Sequence, residues 1–107
     1  MKIHDLLANI LKDSPALGSF PLPEMLSFAE NHRANGIALA GEGGCERYIA
    51  LLGGEPEGAI YIDEKGELFG DKAVLMVTGR ETFSFHEVRQ DIVEALIMSI
   101  RVFDKGR

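Results

Sequence analysis

Apolar positions recur with the period of a helix at both ends of the chain and with the period of a strand between them. Ile3, Leu6, Leu7, Ile10 and Leu11 form one helical stripe. Asp13-Ser14-Pro15 ends it, because proline has no amide to donate and disfavours helical geometry in the residue before it. Residues 14–21 read as a connector, with Phe20 as a plug onto the core. Pro23 suits the first turn of a second helix, where a missing amide costs nothing, and Met25, Leu26 and Ala29 give that helix its buried face. Asn35-Gly36 predicts its end, with the glycine as left-handed cap.

The pattern then shortens. Ile37 to Ala40 and Tyr48 to Leu52 predict two strands joined through Gly41 to Gly44. Gly53-Gly54 and Pro56 turn the chain into a third strand, Ala59 to Ile62, and Asp63 to Gly66 reads as another turn. Gly70 opens the segment DKAVLMV at 71–77, which has two readings: a short helix capped by Asp71, or a strand over Ala73 to Val77. Local propensity favours the strand, since valine is stiff at χ1 and suits a pleated sheet. Thr82 to Phe85 alternates polar and aromatic, as a half-buried strand does. A long helix runs from about Glu87 to Phe103, with Val88, Ile92, Leu96, Ile100 and Phe103 as its central stripe and Val93 and Ile97 alongside. Met98 and Val102 lie outside that stripe and join Ala95 in a second apolar strip.

These elements predict a single α+β domain: a mostly antiparallel sheet of four to five strands, two N-terminal helices, a possible short helix at 71–77 and a long C-terminal helix. Gly36, Gly53, Gly54 and Gly70 are its expected turn glycines. A chain of 107 residues has room for one core. Its 46% apolar content is too high for disorder, and no apolar run reaches the length needed to span a bilayer. The amphipathic first helix is unlike a signal-peptide core, so a cytoplasmic location and no membrane partner are expected.

Charge changes the picture in one place. Residues 41–71 hold eight acids against two bases, and the rest of the chain is balanced, so the whole net charge of −6 sits on the strand-and-turn segment. Such a surface repels phosphate backbones, which argues against nucleic acid as a partner. Glu55, Glu57, Asp63, Glu64 and Glu67 form the candidate acidic patch, either a solvated surface or a docking site for a basic protein.

Candidate chemistry is sparse. Gly41-Glu-Gly-Gly44 is followed by Cys45-Glu46 rather than by the Lys and Ser or Thr of a phosphate loop, and by a strand rather than a helix. A tight hairpin explains its glycines. His4, His32 and His86 show no metal-ligand spacing, and Cys45 has no second cysteine to pair with. The carboxylate pairs Glu55/Glu57 and Asp63/Glu64 lie on turns, and no serine sits in a nucleophile motif. No catalytic residue, cofactor or metal is expected.

Several motifs together carry a resemblance. Gly18-Ser-Phe20 precedes a helix bearing Leu22, Met25 and Leu26, and Gly36-Ile-Ala-Leu39 opens a strand. Tyr48 to Leu52 ends in Gly53-Gly54, Gly58-Ala59 begins another strand, and Gly70-Asp-Lys-Ala73-Val74 precedes the aromatic strand Phe83-Ser-Phe85. Residues 17–85, about two-thirds of the chain, thus resemble the PATAN-type domain, the module at the N-terminus of the PatA regulator, and its small prokaryotic relatives. The stretch after Ala73 is shorter than in that family and lacks its usual aromatic. The resemblance implies an α+β fold, a helix rather than a strand at 71–77, and a role in protein–protein signalling without catalytic residues.

Two functional classes remain. The first is a non-enzymatic interaction or regulatory module with an unknown protein partner, with Ala95, Met98 and Val102 as candidate interface and a homodimer as one outcome. In that reading the rival cover for the strip is the N-terminal helix. The second is a small-ligand-binding or accessory subunit of an enzyme, with its ligand under the Gly53-to-Ala59 turn.

Overall fold

The structure is a computed structural model that describes residues 3–105. Its elements run α1 (Ile3–Lys12), β1 (Ala16–Pro21), α2 (Leu22–His32), β2 (Gly36–Glu42), β3 (Cys45–Leu52), β4 (Glu55–Asp63), β5 (Gly66–Phe69), α3 (Asp71–Val74), β6 (Thr82–Glu87) and α4 (Gln90–Lys105). The strands form one antiparallel sheet in the order β1-β6-β2-β3-β4-β5. The α+β class and the long C-terminal helix are those that the sequence predicts.

Alternation along the central strands fills both faces of the sheet. Ile37, Tyr48, Ala50, Ile60 and Phe69 point to one face, where α1 and α4 cover them with Ile3, Leu7, Val93, Leu96, Ile97 and Ile100. Ala38, Ala40, Ile49, Leu51, Phe83 and Phe85 point to the other, under Met25 and Ala29 of α2. Ala59 and Tyr61 of β4 continue that second face and pack against Ala73 of α3. The sheet is therefore sandwiched between two helical layers.

Six strands stand where the sequence predicts four or five. Residues 16–21 are not a connector but the edge strand β1, paired with β6. Gly18, Ser19 and Pro21 make the segment look like a loop, yet an edge strand tolerates proline because one side of its backbone needs no sheet partner. The second addition is β5, paired with Ile60 to Asp63. Residues 73–77 are not a strand. Gly70 takes φ +66° and donates its amide to the Ala59 carbonyl at 3.0 Å, after which the chain coils into α3. Burial of Ala73 decides against the β propensity of the valines.

Gly36 is not the cap of α2. The left-handed residue there is Arg33 (φ 47°), whose amide reaches the Ala29 and Glu30 carbonyls. Gly36 begins β2, where a β-carbon would collide with the His86 carbonyl oxygen and come within 2.7 Å of the Phe85 ring. It is a close-packing glycine. Gly43-Gly44 and Gly53-Gly54, by contrast, all have positive φ, as two-residue type I′ hairpins require. The last helix starts later than predicted, because the Val88 amide is drawn to the Asn35 carbonyl at 3.0 Å. Phe103 lies half outside the core, stacked on Phe69 with centroids 4.9 Å apart.

Candidate functional site

Between α2 and α3, on the second face, the sheet is incompletely covered. Leu22 and Leu26 form one wall, Val74 and Val77 the other, and Ile49 and Ala59 line the floor of a cleft of about 390 Å³. Small residues produce it: Ala59 and Ala73 let α3 sit close to β4, and α3 is too short to reach α2. Four consecutive apolar residues, Val74 to Val77, cannot all turn inward on so short a helix. Val74, on the cleft wall, is 55% exposed and forms an apolar lip, and Leu75, next to it in the chain, is 82% exposed. Among the described residues, Glu57 and Asp71 are the titratable groups of the cleft lining.

The loop behind that lip is fastened by a buried ionic latch. Glu81 accepts the amides of Thr78 (2.7 Å) and Gly79 (2.9 Å) and meets Arg47 Nε at 3.1 Å. The same Nε donates to the Met76 carbonyl at 2.7 Å, and the guanidinium lies 5.3 Å from the centre of the Tyr61 ring. Burial of Glu81 opposes its ionisation, but hydrogen bonds from the amides of Thr78, Glu81 and Gly79 and from the Thr78 hydroxyl outweigh it and lower the pKa. Arg47, a strand residue, thus pins the chain beyond α3.

Ala95, Met98 and Val102 lie on the outer side of α4, with Met98 66% and Val102 69% exposed. The N-terminal helix does not cover them; it packs beside α4 on the sheet through Ile3 and Leu7. Gly53 and Gly54 clasp the end of α2: Asn35 Oδ1 accepts the Gly53 amide at 2.7 Å, and the Ala34 carbonyl accepts that of Gly54 at 2.9 Å. Gly70 packs its bare α-carbon against the Asp104 carboxylate.

The candidate acidic patch is not one surface. Glu55 and Glu57 begin β4, and Asp63 ends it, about 26 Å away at the rise of an extended strand. Glu64 and Glu67 lie with Asp63 on the β4–β5 hairpin, where Asp63 and Glu64 line a groove with Glu42 and Glu46. Glu57 also faces Arg101 at 3.7 Å. The histidines are equally scattered: His4 meets Glu46 at 3.3 Å, His32 packs on Phe28, and His86 Nδ1 is bonded to the Ser14 carbonyl at 2.6 Å. Among the described residues no three potential metal ligands converge.

Two tyrosines are perturbed without forming a reaction centre. Burial, then the hydrogen bond to Glu46 and its charge, hold the Tyr48 phenol far above its ordinary range. Tyr61 donates to Cys45 Sγ at 3.2 Å, and that bond with burial pushes its pKa up to about 12. Both phenols stay protonated at neutral pH and serve as packing residues with a tethered hydroxyl.

Sequence reasoning singled out the α4 strip and, for a ligand, the Gly53-to-Ala59 segment, of which Pro56 to Ala59 line this cleft; it missed the α2 and α3 walls and the Arg47–Glu81 latch. The apolar run VLMV beside a helix cap was the available signal. No family model matches this chain, and it has no significant match among curated proteins or solved structures.

Proposed function

We propose that this domain is a non-enzymatic protein-interaction module that receives a short apolar segment of a protein partner in the α2–α3 cleft. The observation that carries this is the exposed lip at Val74 beside an apolar floor, with exposed Leu75 following it in the chain. Exposed apolar surface continuous with a cleft marks a contact site. Glu57 and Asp71 in the lining favour a partner segment that carries a lysine or arginine. A small-ligand site of this size has a few polar groups converging on its interior to orient the ligand. Here the walls are aliphatic and Glu57, one of the two lining acids, faces Arg101 at 3.7 Å, which favours the protein partner over the small ligand. The resemblance to the PATAN-type module supports a regulatory setting, in the cytoplasm.

A photo-crosslinking residue at Val74, introduced in the cells that make the protein, tests the reading. It should capture a discrete protein adduct that is absent with the crosslinker at Lys65 and lost when Leu75→Glu is added. No adduct above the Lys65 control, or native mass spectrometry showing a small molecule that Leu75→Glu releases, would overturn it.

A further inference from the structure

The outer side of α4 has a pattern of its own, on the face of the sheet opposite the cleft. Val93, Leu96, Ile97 and Ile100 point inward. Asp91, Ala95, Met98, Val102 and Lys105 recur at alternating steps of four and three, so they form a straight ridge on the opposite side of the helix. All five are exposed. This is the spacing of the seam of a two-stranded coiled coil, with the apolar residues in the middle and charges at the ends. Glu94 and Arg101, one heptad apart, flank the same side of it.

We infer that this ridge pairs with the same ridge of a second copy of the chain, antiparallel, around a two-fold axis between Ala95 and Met98. Charge decides both the partner and the direction. In the antiparallel register Ala95 of each copy meets Met98 of the other, and Glu94 of each faces Arg101 of the other, so two opposite-charge pairs form by symmetry. A parallel register would stack Asp91 on Asp91 and Lys105 on Lys105 and leave Glu94 facing Ser99. In the antiparallel register Val102 lies over the first turn of the second copy's helix, where Asp91 is already held by Arg89 at 3.1 Å and caps the Ile92 amide at 3.0 Å. No lone carboxylate is buried. Arg101 must share itself with Glu57 of its own chain, an exposed contact at 3.7 Å that leaves it free to turn.

The seam is short. A helix of 16 residues is about 24 Å long and offers two heptads, less than a standard stable interface. The dimer is therefore weak and in reversible exchange with monomer.

Sedimentation equilibrium of the whole chain over micromolar to millimolar concentrations, with charge reversal, tests both partner and register. Wild type should dimerise in a concentration-dependent way. Glu94→Arg and Arg101→Glu should each weaken self-association about tenfold, because each turns both symmetric pairs repulsive. An equimolar mixture of the two variants should restore association, since every facing pair is then of opposite sign. The restored mixture also shows that both variants are folded. A wild type that stays monomeric at several hundred micromolar overturns the inference, as do single variants that associate like wild type or a mixture that fails to recover. None of these outcomes touches the crosslink at Val74, so the cleft and the ridge stand or fall separately.

Discussion

The two faces of the sheet are covered by the same number of helices and are built in opposite ways. On the α1/α4 face, large side chains of the strands meet ten- and sixteen-residue helices, and the cover is continuous. On the α2/α3 face the strands present Ala38, Ala40 and Ala59 beside their large residues, and the second cover is a four-residue helix. The loop after that helix is fastened by Glu81 and Arg47 together with the half-buried side chains of Met76 and Val77. One face maximises apolar contact; the other gives some up and keeps a cleft. Segments with few buried apolar contacts open at lower free energy than core elements. The second face is thus the one able to adapt to a partner.

The largest expected effect tests that contrast directly. Leu96→Ala removes a fully enclosed side chain from the continuous face and should cost about 3 kcal/mol in urea unfolding. Leu26→Ala, on the half-exposed wall of the cleft, should cost less than about 1 kcal/mol, because solvent or a neighbouring side chain can fill the space. Equal losses would mean that the second face is packed as tightly as the first.

The latch should be the next largest and the only one with a strong pH signature. Glu81→Gln keeps the shape but removes the charge facing Arg47, and should cost about 2 kcal/mol at pH 7. Because the folded pKa of Glu81 lies below its ordinary value of 4.5, the stabilisation is complete above that pH. It is lost as pH falls through the folded value. The difference between wild type and variant should therefore shrink in acid, measured as melting temperature across pH 7 to 2. A gap that stays constant would show that the charge is not what fastens the loop.

The closed face was the more legible one in the sequence, for a physical reason. A long amphipathic helix records its buried side in every turn, so α1, α4 and the exposed remainder Ala95, Met98 and Val102 could be read from spacing alone. The open face depends on distances that no periodicity records. Whether α2 and α3 touch is set by the length of α3, and 71–77 was legible only as helix or strand. Glu81 and Arg47 are polar residues from separate elements, and their pairing exists only once β3 and the loop before β6 are neighbours. Edge strand β1 was hidden by its glycine and proline, and Gly36 by the expectation that a glycine after a helix is its cap. Arg33 adopts the left-handed conformation instead, leaving Gly36 to meet Phe85 and His86.

The finest distinction lies within one turn. Gly53 (φ 62°) and Gly54 (φ 87°) share the left-handed region, so alanine at either should cost about 1 kcal/mol from the backbone alone. Their surroundings differ. A β-carbon at Gly53 meets open space, whereas one at Gly54 comes within 2.7 Å of the Ala29 carbonyl and 3.0 Å of the α-carbons of Glu30 and Arg33. Those are backbone atoms of the last turn of α2, which cannot turn aside as a flexible side chain can. Gly54→Ala must therefore push the end of α2 away from the sheet and should cost about 1 kcal/mol more than Gly53→Ala. Because Leu26 is carried by the same helix, the displacement reaches the cleft wall. Amide exchange should consequently quicken in α2 for Gly54→Ala and remain unchanged there for Gly53→Ala. If the two variants melt together and exchange alike, α2 is not held by this turn, and the second face is looser than the contacts of Gly54 imply.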